Sequence, residues 1–264
     1  MRWSERHQAM LREMGIALWQ PADDPADEIP TTAEVAAAAT ELDPQSPPGL
    51  VAPAAPMPLP VREPITQEAK LGELDWPTLR DEVAACTACG LCRTRTQTVF
   101  GVGNEHAHWM VVGEAPGEQE DLRGEPFVGA AGRLLDRMLL ALGLTRQPAE
   151  ADQQVYIANT LKCRPPRNRN PEPQELAQCI PFLERQVALV QPRVVLAMGR
   201  FAVQALLGSD EPIGRLRGRV HDWHGRPLVV TYHPAYLLRQ PTEKARAWAD
   251  LCLAAEALDR VNAL

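Results

Sequence analysis

The segment "WMVVGEAPGEQED", residues 109–121, sets the reading of the fold. Four apolar residues run straight into Gly113, Glu114, Ala115, Pro116 and Gly117, and then into Glu118, Glu120 and Asp121. A short apolar run that meets glycine and proline reads as a buried strand ending in a turn. Acids suit the start of a following helix, where they offset the helix dipole. On this stretch alone, a solvated loop entering a helix and a site that needs carboxylates at the end of a buried strand account for the acids equally well.

Outward from this segment, three more apolar runs recur: "VYIAN" (155–159), "VVLAMG" (194–199) and "LVVTYH" (228–233). Helical patterns stand between them: "GAAGRLLDRMLLALG" (129–143), "PEPQELAQCIPFLERQVALV" (171–190) and "RFAVQALLG" (200–208). "EKARAWADLCLAAEALDRV" closes the chain as a further helix, and "DWPTLRDEVAAC" precedes the first strand as another. In the latter, Asp75 caps and Pro77 sits in the first turn. Strands alternating with helices predict an α/β protein: a three-layer α/β/α domain around a central four-stranded parallel sheet. Ligands of such sheets bind outside the carboxyl ends of the strands. Those ends carry Glu114, Asn159, Gly199 and His233, so a carboxylate, an amide and an imidazole are expected along one edge.

The 264 residues suffice for one ordinary domain with extensions. No run of eighteen apolar residues appears, and the start, "MRWSERHQAM", is too charged for a secretory signal. The expectation is a cytoplasmic protein without a membrane anchor. Residues 4–19 have helical spacing, giving a short amphipathic helix within 1–20 whose apolar face is available to a protein partner. Between 21 and 66 there are eleven prolines and no aromatic residue. Such a stretch cannot bury enough surface to offset its ordering entropy, so 21–74 reads as a disordered linker and 75–264 as the folded domain.

Net charge is −7, but it is unevenly spread. The first 80 residues carry 13 acids and 6 bases, whereas residues 160–239 carry 6 acids and 12 bases, eleven of them arginine. Arginine suits bidentate contact with phosphate, so this block admits a nucleic-acid partner despite the acidic total. A surface of scattered salt bridges would give the same count.

"CTACGLC" supplies Cys86, Cys89 and Cys92; Cys163 lies in "LKCRPP", Cys179 in "LAQC", and Cys252 among apolar residues of the last helix. The CxxC is compatible with a redox pair, a zinc site or an iron–sulfur site. It follows a helix rather than a first strand, which speaks against the redox pair, and spacing alone does not separate zinc from iron–sulfur.

"CTAC", "VFGVG", "GEAPGEQED", "EPFVGAAGRLLDRML", "NTLKCRPPRNRNP" and "TYHPAYLLR" occur in the order seen in the family 4 uracil-DNA glycosylases. The chain resembles that iron–sulfur family over roughly residues 75–260. The resemblance implies base excision repair: uracil is flipped from single- or double-stranded DNA and its N-glycosidic bond hydrolysed, by an enzyme read here as a monomer. It implies a 4Fe–4S cluster on Cys86, Cys89, Cys163 and Cys179, with Cys92 an extra thiol. It places Gly113, Ala115, Phe127 and Asn159 around the uracil, Phe127 stacking on the base and Asn159 reading its edge. Where the best-known branch of the superfamily has a catalytic aspartate, this chain has Ala115. Catalysis then falls to His233 at uracil O2 and to Glu114 or Glu120 beside the sugar cation or the attacking water. Arg164, Arg167, Arg169 and Arg239 are the expected DNA contacts. Two other readings are a catalytically silent iron–sulfur DNA-binding module and a relative that links covalently to abasic sites. The latter uses a histidine-containing loop, and "RPPRNRNPEPQE" contains none.

Overall fold

The computed structural model describes Glu13 and residues 71–263. The amphipathic helix expected at 4–19, apart from Glu13, and the linker up to residue 70 lie outside the described residues. The expected linker boundary at 74 moves earlier. Leu71 is buried against the domain, and Arg185 donates to the Leu74 carbonyl.

Helix α1, Trp76–Ala85, starts as its sequence dictates: Asp75 Oδ1 accepts from the Thr78 amide at 3.0 Å. Strands β1 (Val102–Gly103) and β2 (Trp109–Gly113) follow, then helices α2 (Glu118–Arg123) and α3 (Ala130–Ala141). Next come β3 (Tyr156–Asn159), α4 (Pro173–Val190), β4 (Val194–Met198), α5 (Arg200–Leu207) and the short α6 (Ile213–Leu216). Strands β5 (Val220–Trp223) and β6 (Arg226–Thr231) form a hairpin, and α7 (Pro234–Arg239) and α8 (Lys244–Asn262) complete the domain.

The sheet order is β1-β3-β2-β4-β6-β5. Its four inner strands, β3, β2, β4 and β6, are mutually parallel and coincide with the four apolar runs. The expected four-stranded sheet is therefore the centre of a six-stranded one. The added edges, β1 on β3 and β5 on β6, are antiparallel.

Side chains alternate across the inner strands. Val111, Ile157, Leu196 and Val229 face one layer, packing with Leu135 and Met138 of α3 and Leu251 of α8. Met110, Val112, Ala158, Val195 and Val230 face the other, packing with Leu183 and Val187 of α4 and Val203 of α5. That period of two, with both faces apolar, is what buried parallel strands require. A third core joins Leu79 and Val83 of α1 to Leu161, Phe182 and the thiols of Cys163 and Cys179.

The order reverses at β2, which lies between β3 on one side and β4 on the other. The crevice beside such a reversal, at the carboxyl ends, is the natural ligand site of an open α/β sheet.

Candidate active site

A cleft of about 1050 Å³ opens at that edge. The strand ends deliver its lining: Glu114 beyond β2, Asn159 at the end of β3, Gly199 after β4, and Tyr232 and His233 after β6. Ala115, Glu120, Phe127, Arg169 and Arg239 also line it. Gly113 lies directly beneath, where a methyl group would collide with Asn159 Oδ1 and the Phe127 ring. Of the arginines expected at DNA, Arg164 and Arg167 do not line the cleft. Arg164 is held by Asn168 Oδ1 at 2.8 Å, and Arg167 stands exposed in the following turn. Arg169 is engaged by both oxygens of Glu175, at 2.9 and 2.6 Å.

The four acids of the opening segment take four different positions. Glu118 is exposed. Asp121, buried, accepts the Thr96 amide and ties the loop before β1 to α2. Glu120 accepts three backbone amides: Gly117 at 3.1 Å, Val128 at 2.9 Å and Gly129 at 3.2 Å. Its carboxylate thus staples the turn after β2 to the start of α3. Among the described residues, no hydrogen bond or ion pair reaches the carboxyl of Glu114. Burial without a partner pushes its pKa up to about 7.

Phe127 has φ +56°, a left-handed conformation that is costly for a bulky residue. Neighbours on three sides enforce it. Glu120 holds the two amides that follow, Arg146 donates to the preceding Pro126 carbonyl at 2.9 Å, and Gly132 leaves room for the Phe127 carbonyl where a Cβ would clash. Strain held by its surroundings in this way marks functional positions. The ring it aims stacks on His233, with centroids 5.3 Å apart and planes 26° from parallel.

His233 caps α7, its Nδ1 accepting from the Ala235 amide at 3.1 Å. Nδ1 therefore carries no proton, and in the neutral ring the proton sits on Nε2. Desolvation, aided by Arg239 and opposed by Glu120, pushes the imidazole pKa down to about 4. Near neutral pH the residue is an uncharged Nε2–H donor. Gly199 makes room for it, since a Cβ there would come within 3.1 Å of the His233 Cβ.

Asn159, 2% exposed, is fixed from behind by a residue the sequence did not single out. The buried Lys162 donates to the Asn159 carbonyl at 2.8 Å and to Gln186 Oε1 at 2.6 Å. Gln186 in turn donates to the Phe100 carbonyl and the Tyr156 hydroxyl. A buried lysine gives no signal in a sequence that distinguishes it from a surface one. Arg200 also lines the cleft without having been anticipated, and so does Tyr236, which lies in the "TYHPAYLLR" motif of the resemblance but was given no role of its own.

The chain belongs to the uracil DNA glycosylase superfamily. The family model of that description matches residues 100–252. A Type-4 uracil-DNA glycosylase of Archaeoglobus fulgidus is 45% identical over 168 residues, covering 61% of this chain and 81% of the relative. The Type-4 enzyme of Saccharolobus solfataricus is 42% identical, over 62% and 77% respectively. A Type-5 uracil-DNA glycosylase of Thermus thermophilus is 32% identical, over 59% and 75%. For a member of this superfamily, the cleft at the carboxyl edge is where a target base would be received.

A second, smaller cavity lies on the other side of the residues after β3. Cys86, Cys89, Cys163 and Cys179 line it, and so does Cys92. Arg95 donates to Cys163 Sγ at 3.1 Å and the Lys162 amide to Cys179 Sγ at 3.2 Å. Burial pushes the Cys179 thiol up to about 12 and raises Cys163 and Cys89 as well. Among the described residues, no group of three His, Cys, Asp or Glu side chains converges on a single metal ion. No helix of the described residues is long and apolar enough to cross a membrane.

Proposed function

We propose that the chain is a DNA-repair uracil-DNA glycosylase that flips uracil into the carboxyl-edge cleft and hydrolyses its N-glycosidic bond, leaving an abasic site. The observation that carries this reading is the pairing of an unpartnered Glu114 carboxyl with a neutral His233 donor in one cleft. Extruding a base costs roughly a few kcal/mol, and stacking on an aromatic ring returns about 1–3 kcal/mol. Phe127 supplies the ring, and the Asn159 amide matches the O4 and N3–H edge of uracil.

Breaking the C1′–N1 bond sends its electron pair onto uracil, with charge at O2 and O4, and leaves an oxocarbenium-like sugar. His233 Nε2–H donates to O2 and stabilises that charge without reorganising. Because the ring is neutral, it acts as a donor rather than by transferring a full proton. Glu114, as a carboxylate, stabilises the sugar cation and takes a proton from the water whose oxygen bonds to C1′. The uracil anion leaves and is protonated by solvent. Glu120 has both oxygens on backbone amides and serves as a positioning residue for Phe127. Arg239 is the cleft arginine we assign to phosphate. Arg164 and Arg167 lie outside the cleft and would meet the flanking backbone, and Arg169 orders their loop through Glu175.

Cys86, Cys89, Cys163 and Cys179 would hold a 4Fe–4S cluster. The fit rests on the donor set. Two buried thiols, Cys163 and Cys179, and two half-buried ones, Cys86 and Cys89, wall one cavity, and the buried two receive N–H donors, as cluster-bound sulfurs do. When bound, the cluster would cross-link the segment after α1 to the loop after β3 and to α4. Reduced cysteines suit a cytoplasmic enzyme. The cleft is complete within one chain, which supports a monomer.

The test is incubation of the purified protein with oligonucleotides carrying a single deoxyuridine or thymidine, followed by alkaline strand scission. Cleavage only at deoxyuridine is expected. Binding of both without scission would mark a silent DNA-binding module.

A further inference from the structure

A side-chain amide that reads a base edge must present its donor and its acceptor in one fixed plane. Asn159 stands at the end of β3, where the ladder to β2 stops opposite Gly113. Beyond that point the chain leaves the sheet, and residues 160–163 hold their course by other means. The Thr160 amide donates to the Gly113 carbonyl at 3.0 Å. The Leu161 amide and the Thr160 hydroxyl both donate to the Glu114 carbonyl.

Lys162 closes this turn, and it is buried. Its amide donates to Cys179 Sγ at 3.2 Å, and its carbonyl accepts from the Val99 amide at 2.8 Å. Its side chain doubles back along the chain, so that Nζ reaches the Asn159 carbonyl at 2.8 Å and Gln186 Oε1 at 2.6 Å. Gln186, fully buried on α4, is fixed in turn by the Phe100 carbonyl at 2.9 Å and the Tyr156 hydroxyl at 3.1 Å. Lys162, Gln186, Phe100 and Tyr156 do not line the cleft. Placing a lysine in a protein interior is costly. An apolar side chain would fill the same space, but it would leave the Asn159 carbonyl and Gln186 Oε1 without this donor. The Asn159 side chain has little slack on its other flank, since a Cβ at Gly113 would come within 2.4 Å of its Oδ1.

We propose that Lys162 is a positioning residue for base selection: by tying the Asn159 carbonyl to the Gln186 anchor, it sets the plane in which the Asn159 amide meets the edge of the flipped uracil. This rests on the reading of the cleft as a uracil-excision site. It adds to that reading the buried group on which the selectivity of Asn159 depends. Lys162 touches neither base nor sugar and acts only through Asn159.

The experiment uses the full chain and two oligonucleotides, one with deoxyuridine and one with 3-deazadeoxyuridine, in which C–H replaces N3–H. The wild type should prefer deoxyuridine in kcat/KM by about a hundredfold or more, because the analogue leaves the Asn159 acceptor unpaired. Lys162→Met should lower kcat/KM on deoxyuridine by about tenfold, the scale of one hydrogen bond, and leave the analogue nearly unchanged. The preference then shrinks by the same factor, and any difference in leaving-group strength cancels between variant and wild type. In an Asn159→Ala background, Lys162→Met should not change the preference further. Gln186→Met, which keeps the lysine and removes its anchor, should shift the preference in the same direction by less, and it decides the question if Lys162→Met does not fold. Visible absorption and melting temperature report folding for each variant. If the variants lose rate equally on both oligonucleotides, or keep the wild-type preference, Lys162 only supports the fold and the proposal is refuted. If the wild type excises nothing from the deoxyuridine oligonucleotide, the uracil reading itself fails and the proposal falls with it.

Discussion

The cleft and the cysteine cavity share one short stretch, residues 159–163, and treat their polar groups in opposite ways. In the cleft, Glu114 has no hydrogen-bond or ion-pair partner among the described residues, and His233 is held neutral with its proton on Nε2. In the cavity, Cys163 and Cys179 already receive N–H donors from within the chain. Lys162 spans the two, its side chain on the Asn159 carbonyl and its amide on Cys179 Sγ. A site that must respond to charge appearing during a reaction keeps groups unsatisfied until substrate arrives. A site that must hold a structure satisfies them in advance.

That contrast is broken most severely from the cavity side. Cys163→Ala should abolish the broad visible absorption of the purified protein and much of its bound iron and sulfide. Cys92→Ala, although it changes the same cavity wall, should leave both in place. A colourless wild-type protein holding stoichiometric zinc after anaerobic purification would remove the iron–sulfur assignment.

From the cleft side, His233→Ala should slow single-turnover uracil release by about a hundredfold or more, the scale of losing one preorganised donor. The visible spectrum should not change. Wild-type release by this variant under saturating enzyme would move the anion-stabilising role elsewhere. A smaller loss is expected for Glu120→Gln, because an amide can still accept from some of the backbone donors at 117, 128 and 129. About tenfold in release rate, with a lower melting temperature, would fit a residue that aims Phe127. A loss equal to that of a Glu114 variant would instead make Glu120 a direct participant.

The sequence exposed the inner sheet because its four strands are apolar on both faces and end in turn residues or in chemistry-bearing residues. It hid the edges. Strand β1 is two residues of a glycine-rich run, and β5 is a partly exposed strand closed by His224 and Gly225. Both turn residues have positive φ, 51° and 76°, which suits a two-residue hairpin but is unusual for histidine. The candidate residues of the cleft could be named from strand ends and motifs. Their division of labour could not, since Glu120 acts on amides eight and nine residues away and Lys162 acts through burial. Residues 1–66 contributed a helical pattern over 4–19 and, beyond it, composition alone. A chain starting near residue 70 should fold, keep its colour and excise uracil at the full-length rate, the smallest effect expected here. Loss of activity with the colour intact would bring the leading segment into the site.

The most direct test of the central claim is the pH dependence of kcat/KM on a deoxyuridine oligonucleotide, for the wild type and for Glu114→Gln. Glu114 must be ionised to stabilise the sugar cation, and its pKa is raised to about 7. Wild-type kcat/KM should therefore rise with pH through about 7 and then level. His233, with a pKa near 4, stays neutral above pH 5 and adds no step of its own. Glu114→Gln should be slower by about a hundredfold or more and lack the step. A wild-type profile flat from pH 5 to 8, or a step that survives in Glu114→Gln, would contradict the account.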